Sequence, residues 1–207
     1  MIRVRDASVA DLEQIVSAHA RAFPGYFLTR LGPRFLSLMY RGFIDARDGI
    51  MLVAEDDGRI DGFVAGTTSP ASFFRGLLRH SLLFLVASSS ALAREPMLVT
   101  RRLMGAIAFR GEAPPALNDA ALLSSIGVPP EASGRGTGRT LLEQFCARAR
   151  LAGCRHVYLT TDRDGNPAVS RFYESFGFTL ESMFRRPQNR WMKRYVLRLE
   201  DRGGTGQ

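Results

Sequence analysis

The sequence predicts a mixed α/β domain of three layers, with helices on both faces of one sheet. Short apolar strand-like runs, amphipathic stretches at helical spacing, and the order in which they follow one another carry that expectation. The order reads β-α-α-β-β, then a helical insertion, then β-α-β-α-β-β. The 207 residues are 45% hydrophobic and 23% charged, which suits one domain with a sizeable core. We place that domain at residues 1–200, with an insertion over 70–117 and a disordered tail at 201–207, "DRGGTGQ".

Taken in order, "IRVR" (2–5) alternates as a short strand does. Ser8, three residues before Asp11, is a variant of the capping box, and it opens a helix whose core face is Leu12, Ile15, Val16, His19 and Phe23. "FPGYF" breaks that helix. A second runs from Pro33 to Ile44, with Phe35, Leu36, Leu38, Met39 and Phe43 at helical spacing. Residues 50–66 are two strands around an Asp-Asp-Gly turn, a hairpin signal. Residues 70–117 hold helical periodicity in "FFRGLLRHSLLFLV" and "EPMLVTRRLMGAIAF", separated by "ASSSALARE", and read as an inserted helix pair. "AALLSSIGV" (120–128) is a buried strand, 137–153 an amphipathic helix stopped by Gly153, and "HVYLTT" (156–161) another buried strand. "NPAVSRFYESFG" is a short helix; "FTLESMF" and "NRWMKRYVLRLE" close the sheet.

Charge and cysteine use narrow the class. The net charge of +8 is concentrated in two segments: 70–117, with six arginines against two glutamates, and 182–207, with seven basic residues against two acids. Such segments suit a polyanion or a phosphate-bearing small molecule. Without interleaved aromatics or a nucleic-acid module, the nucleic-acid reading is disfavoured. Cys146 and Cys154 form no framework and no metal pattern, so both read as reduced core residues. The most apolar run, 81–93, is too short and serine-rich to span a bilayer, which needs about 20 apolar residues. The expectation is a cytoplasmic protein that uses no metal and no membrane.

Chemistry concentrates in "PPEASGRGTGRTLLEQ" (129–144), where Gly134, Gly136 and Gly138 stand at the mouth of a helix. Amides at a helix start have no intrahelical partner and point outward, where the dipole favours negative charge. Removing side chains lets a diphosphate approach them, and Arg135 and Arg139 add flanking cations. The spacing is G-x-G-x-G, not the dinucleotide fingerprint. A Walker loop is excluded, since it requires Gly-Lys and the only lysine is Lys193.

"IGVPPEASGRGTGRTLLE" resembles the acetyl-CoA-binding motif of the GNAT superfamily of N-acetyltransferases, matching at Val128, Pro130, Glu131, Gly134, Arg135, Gly136, Thr137 and Gly138. Ser133 departs from the usual Gln or Arg at the first motif position. "NPAVSRFYESFGF" (166–178) resembles the family's second signature through Asn166, Phe172, Tyr173, Gly177 and Phe178. The resemblance implies the GNAT fold and acetyl-CoA as cosubstrate. It implies binding by Ser133 to Arg139, by the strand segment Ile126, Gly127 and Val128, and by Asn166 and Phe172. It makes Tyr173 the acid that protonates the leaving thiolate, a role one placed proton donor fills. Tyr173 as a packed core tyrosine is the alternative.

The base is open. Glu55, Asp162 and His19 are candidates, and His80 and His156 are assigned nothing. The expected reaction is direct transfer in a ternary complex to a primary amine of a small molecule, an amino sugar or amino-acid derivative. A protein N-terminal acetyltransferase, a non-catalytic acyl-CoA binder and a nucleic-acid binder are the alternatives. The insertion reads as a lid or acceptor wall, as the interface of a possible homodimer, or as a solvated face.

Overall fold

A computed structural model describes residues 2–78, 81–89, 93, 117, 119–163, 167–186 and 190–199. Seven strands form one sheet in the order β1-β2-β3-β4-β5-β7-β6. In chain order the elements are β1 (Arg3–Asp6), α1 (Leu12–Ala22), α2 (Phe27–Arg30), α3 (Pro33–Asp45), β2 (Gly49–Asp56) and β3 (Arg59–Thr67). After α4 (Pro70–Leu78) and α5 (Ser81–Ala87) come β4 (Ala120–Gly127), α6 (Thr137–Leu151), β5 (His156–Asp162), α7 (Pro167–Phe176), β6 (Thr179–Arg186) and β7 (Arg190–Arg198). Every pairing is antiparallel except that of β4 with β5.

The period of two along β2 builds the three layers. Met51 and Val53 face a cluster with Ile15, Val16, Leu36, Tyr40 and Phe43 of α1 and α3. Ile50, Leu52 and Ala54 face the opposite cluster, with Leu141, Leu142, Phe145 and Ala149 of α6 and Tyr173 of α7. With both faces covered, β2 and β3 read as almost continuous apolar runs. Each fully buried Leu, Ile or Phe contributes about 1.5–3 kcal/mol relative to exposure.

The local signals act as expected, with one variation. The Asp11 carboxylate accepts from the Ser8 N–H at 2.7 Å and from the Ser8 hydroxyl at 2.9 Å. That is half of a capping box, and a 3-10 turn, Val9–Asp11, precedes α1. Where "FPGYF" was expected only to break the chain, residues 27–30 add the four-residue helix α2. The first half of the inserted pair appears as α4 and α5, on either side of residues 79–80, which lie outside the described residues. The second, 95–109, lies outside the described residues, as do Asn166 and the tail 201–207. Among the described residues no helix is long and apolar enough to cross a membrane.

Candidate functional site

The site is built outward from β4. Its residues Ala120 to Leu122 pair with His156 to Tyr158 of β5. Beyond Leu122 the two strands part, while β4 stays paired with β3 as far as Gly127. One edge of β4 from Leu123 onward therefore carries peptide groups that no strand among the described residues takes up, and they need another partner. The sheet opens there: Ser124 is exposed and Ser125 and Ile126 half-buried, in a strand whose first four residues are buried.

A bulge sets the divergence. Ala65 faces Ser125 and Gly66 faces Leu123, so Ser124 is the extra residue, and an extra residue bends its strand and raises its twist. A Cβ on Gly66 would lie 2.2 Å from the Leu122 carbonyl oxygen and 2.5 Å from the Phe145 ring. Glycine there lets Phe145 press α6 onto the sheet where the strands part.

After β4 the chain makes a 3-10 turn, Pro130–Ala132. Ser133 closes it twice, its N–H donating to the Pro130 carbonyl at 3.2 Å and its hydroxyl to the Pro129 carbonyl at 3.1 Å. Ser133 is thus committed to the turn, and the candidate donors begin at Gly134. Glu131 is tied to Arg21 of α1 at 2.7 Å. Gly134 and Gly136 both have φ of +79°, Gly136 as the left-handed N-cap of α6. That conformation costs a residue with a side chain roughly 1–2 kcal/mol.

The first α-helical bond runs from the Thr140 N–H to the Gly136 carbonyl at 3.0 Å. The amides of Thr137, Gly138 and Arg139 are left without such a partner. At Gly138 a Cβ would make ordinary contact only, 3.6 Å from the Phe172 ring and 3.7 Å from Val128, so packing does not demand glycine there. Arg135 is exposed. Arg139 pairs with Glu143 at 3.1 Å, its guanidinium 5.4 Å from the Phe176 ring centre. An exposed loop of bare amides, a dipole end and two arginines can hold a diphosphate.

Helix α7 brings the second motif to this loop. Phe172 approaches Gly138, and Tyr173 is buried among the rings of Phe172, Phe178 and Tyr195, at centroid distances of 5.2, 5.6 and 6.2 Å. Tyr173 shares a cluster with Leu123 of β4, with Ile126 and Val128 packed at its margin. Burial pushes its phenol pKa above the ordinary value, so the ring keeps its proton at neutral pH.

Both carboxylates expected as bases sit in ion pairs. Glu55 accepts from the Arg5 Nε at 2.6 Å, and the same guanidinium holds Asp11 through two bonds of 2.8 Å. Both Asp162 oxygens accept from Arg190. Burial pushes the Cys146 thiol up to about 12 and raises that of Cys154, which fits unreactive core cysteines.

His19 is nearly fully buried, 2% exposed, and its Nδ1 lies 2.6 Å from the Tyr40 hydroxyl. The same hydroxyl lies 3.5 Å from the Ser125 Oγ. Burial lowers the His19 pKa to about 4, so the ring is neutral at pH 7. Tyr40 and Ser125 were not singled out from sequence. The one available signal was the polar pair Ser124-Ser125 in an otherwise apolar strand.

A family model described as the acetyltransferase (GNAT) family matches residues 12–178. No curated protein sequence matches the chain at a significant level. Among solved structures, the fold is similar to an N-acetyltransferase from Staphylococcus aureus Mu50 (TM-score 0.63, 16% identity, 97% of this chain and 99% of that one). It is also similar to the ribosomal-protein-S18-alanine N-acetyltransferase of Escherichia coli (0.61, 15%, 100% and 99%). A third is the PaiA N-acetyltransferase of Thermoplasma acidophilum in complex with coenzyme A (0.58, 16%, 94% and 98%).

Proposed function

The chain belongs to the GNAT acetyltransferase family, and from that membership we propose that it acetylates a primary amine of a small molecule, an amino sugar or amino-acid derivative, by direct attack in a ternary complex. It is an acyltransferase with acetyl-CoA as cosubstrate. The observation that carries the reading is the glycine loop: the amides of Thr137 to Arg139 have no α-helical partner, on a helix that follows a strand whose edge no other described strand pairs. The amides and the two arginines bind the diphosphate. The free edge of Ile126 to Val128 takes the pantetheine arm as a neighbouring strand would and offers an N–H to the developing oxyanion.

Acetyl-CoA supplies an acyl group activated as a thioester. The open stretch between β4 and β5 admits it, and Tyr173 holds the proton that the departing thiolate needs.

Calorimetry with acetyl-CoA, followed by thiol release across glucosamine, glycinamide and short peptides, tests this reading. Binding with turnover of the small amines is the expected result. Turnover of peptides alone makes the protein an N-terminal acetyltransferase, and binding without turnover makes it a sensor. Tyr173→Phe should lower kcat by about 10²–10⁴ with acetyl-CoA affinity unchanged. An unchanged kcat removes Tyr173 as the acid.

A further inference from the structure

Ser125 sits just past the point where β4 and β5 part, half-buried on a central strand, and it is one residue before the segment assigned to the pantetheine arm. Its register partner is Ala65, in the cluster covered by α1 and α3, and Tyr40 of α3 reaches it from that side. Behind Tyr40 stands His19 of α1. Three residues from three elements thus form one hydrogen-bonded line from the core to the opening of the sheet.

The line has a direction. At 2.6 Å the contact of Tyr40 with His19 lies at the short end for a hydrogen bond. A phenol, with pKa near 10, is a far better donor than a neutral imidazole N–H, so the Tyr40 proton goes to Nδ1. With its one proton used, the Tyr40 oxygen can only accept, and the Ser125 hydroxyl turns inward at 3.5 Å to donate to it. The His19 Nε2 is buried and has no hydrogen-bond partner among the described residues, so it does not decide the matter. The rings of Phe23, Tyr40 and Phe63 surround the imidazole, at 4.9, 5.7 and 6.0 Å. The lowered pKa of His19 keeps Nδ1 free to accept at neutral pH.

We propose that Ser125, its proton turned inward along the line Ser125–Tyr40–His19, presents its oxygen to the opening and accepts an N–H hydrogen bond from the acceptor amine. The bond orients the amine so that its lone pair points to the thioester carbonyl. Tyr40 and His19 are positioning residues that keep Ser125 an acceptor and never a donor toward the substrate. The consequence is selection for N–H acceptors over groups that can only accept. This inference rests on the acetyl-transfer reading above.

The test has two arms. In protein labelled with ¹⁵N-histidine, NMR at pH 7 should show His19 neutral, with Nε2 protonated and Nδ1 bare. A proton on Nδ1, or a cationic ring, overturns the proposal. In the second arm, Ser125→Ala and Tyr40→Phe are assayed with acetyl-CoA and, in turn, glucosamine and glycinamide. Acetyl-CoA affinity by calorimetry should stay within about twofold, while KM for the amine rises roughly 3- to 10-fold, the value of one neutral hydrogen bond. Ser125→Thr, which keeps the hydroxyl, should restore most of the loss, whereas a disturbed fold would depress acetyl-CoA binding as well. A wild-type KM in Ser125→Ala overturns the proposal. If wild-type protein gives no heat with acetyl-CoA, the acetyl-transfer reading fails instead; if neither amine is acetylated, the histidine tautomer decides.

Discussion

His19 couples the site to stability because it is buried without a charge to meet it. Its surroundings are the rings of Phe23, Tyr40 and Phe63, and burial is the cause of its low pKa. The unfolded chain binds a proton near pH 6.5 and the folded chain near pH 4. Above 6.5 neither state is protonated and stability is complete. Between 6.5 and 4 the unfolded state gains protons that the folded ring refuses, and roughly 3 kcal/mol is lost across that window. Asp11 works in a lower one. The hydrogen bonds from Arg5 lead the causes that hold its carboxyl below the ordinary range, so its contribution is present above about pH 4 and goes as pH falls further. Urea unfolding at pH 7, 5.5 and 4.5 should show the first loss, and His19→Gln should flatten it relative to wild type. An equal slope in both chains would place the titration elsewhere.

Elements were legible to the degree that each carries its own chemistry. The hairpin is one case: Asp57 and Gly58 both take positive φ, 49° and 76°, as an Asp-Gly turn between apolar runs requires. The glycine loop is another, because left-handed Gly134 and Gly136 are written into the sequence as residues able to adopt that backbone. What depends on pairing between distant segments was not legible. Nothing local in "AALLSSIGV" says that Ser124 bulges against β3, or that β5 leaves β4 after Leu122. Nor does anything near Glu55 say that Arg5, 50 residues away, holds its carboxylate. Gly136 and Gly138 separate backbone need from ligand need. Gly136→Ala should lose roughly 1–2 kcal/mol of stability, since alanine resists φ of +79°. Gly138→Ala meets only ordinary contacts and should melt at the wild-type temperature or above, yet bind acetyl-CoA at least tenfold more weakly, as its methyl intrudes on the amides. Full affinity in Gly138→Ala would show that the diphosphate does not sit on this helix end.

At the scale of the molecule, the sheet is two sheets sharing a short seam. β1 to β4 form one antiparallel half and β5, β7 and β6 the other, joined by three residue pairs at Ala120–Leu122. Helices α1 and α3 cover the first half from one side and α6 covers it from the other, its Phe145 against Gly66 beside the Leu122 carbonyl. An arm laid along Ile126 to Val128, with the acyl group in the opening beside Leu123 to Ser125, would fill the open edge and contact both halves, turning a short seam into a long one. Ligand that binds only the folded state at 100 times its Kd adds about 2.7 kcal/mol, which for a chain of this length raises Tm by roughly 5–10 °C. The gain should also have a pattern. In hydrogen exchange with saturating acetyl-CoA, amides of Leu123–Val128 and Gly134–Arg139 should slow most, those of Leu159–Asp162 next, and those of the β2–β3 turn at Asp57–Gly58 least. A rise in Tm with protection spread evenly over the chain would mean that the cosubstrate binds without bridging the halves, and the divergence of β4 from β5 would then need another role.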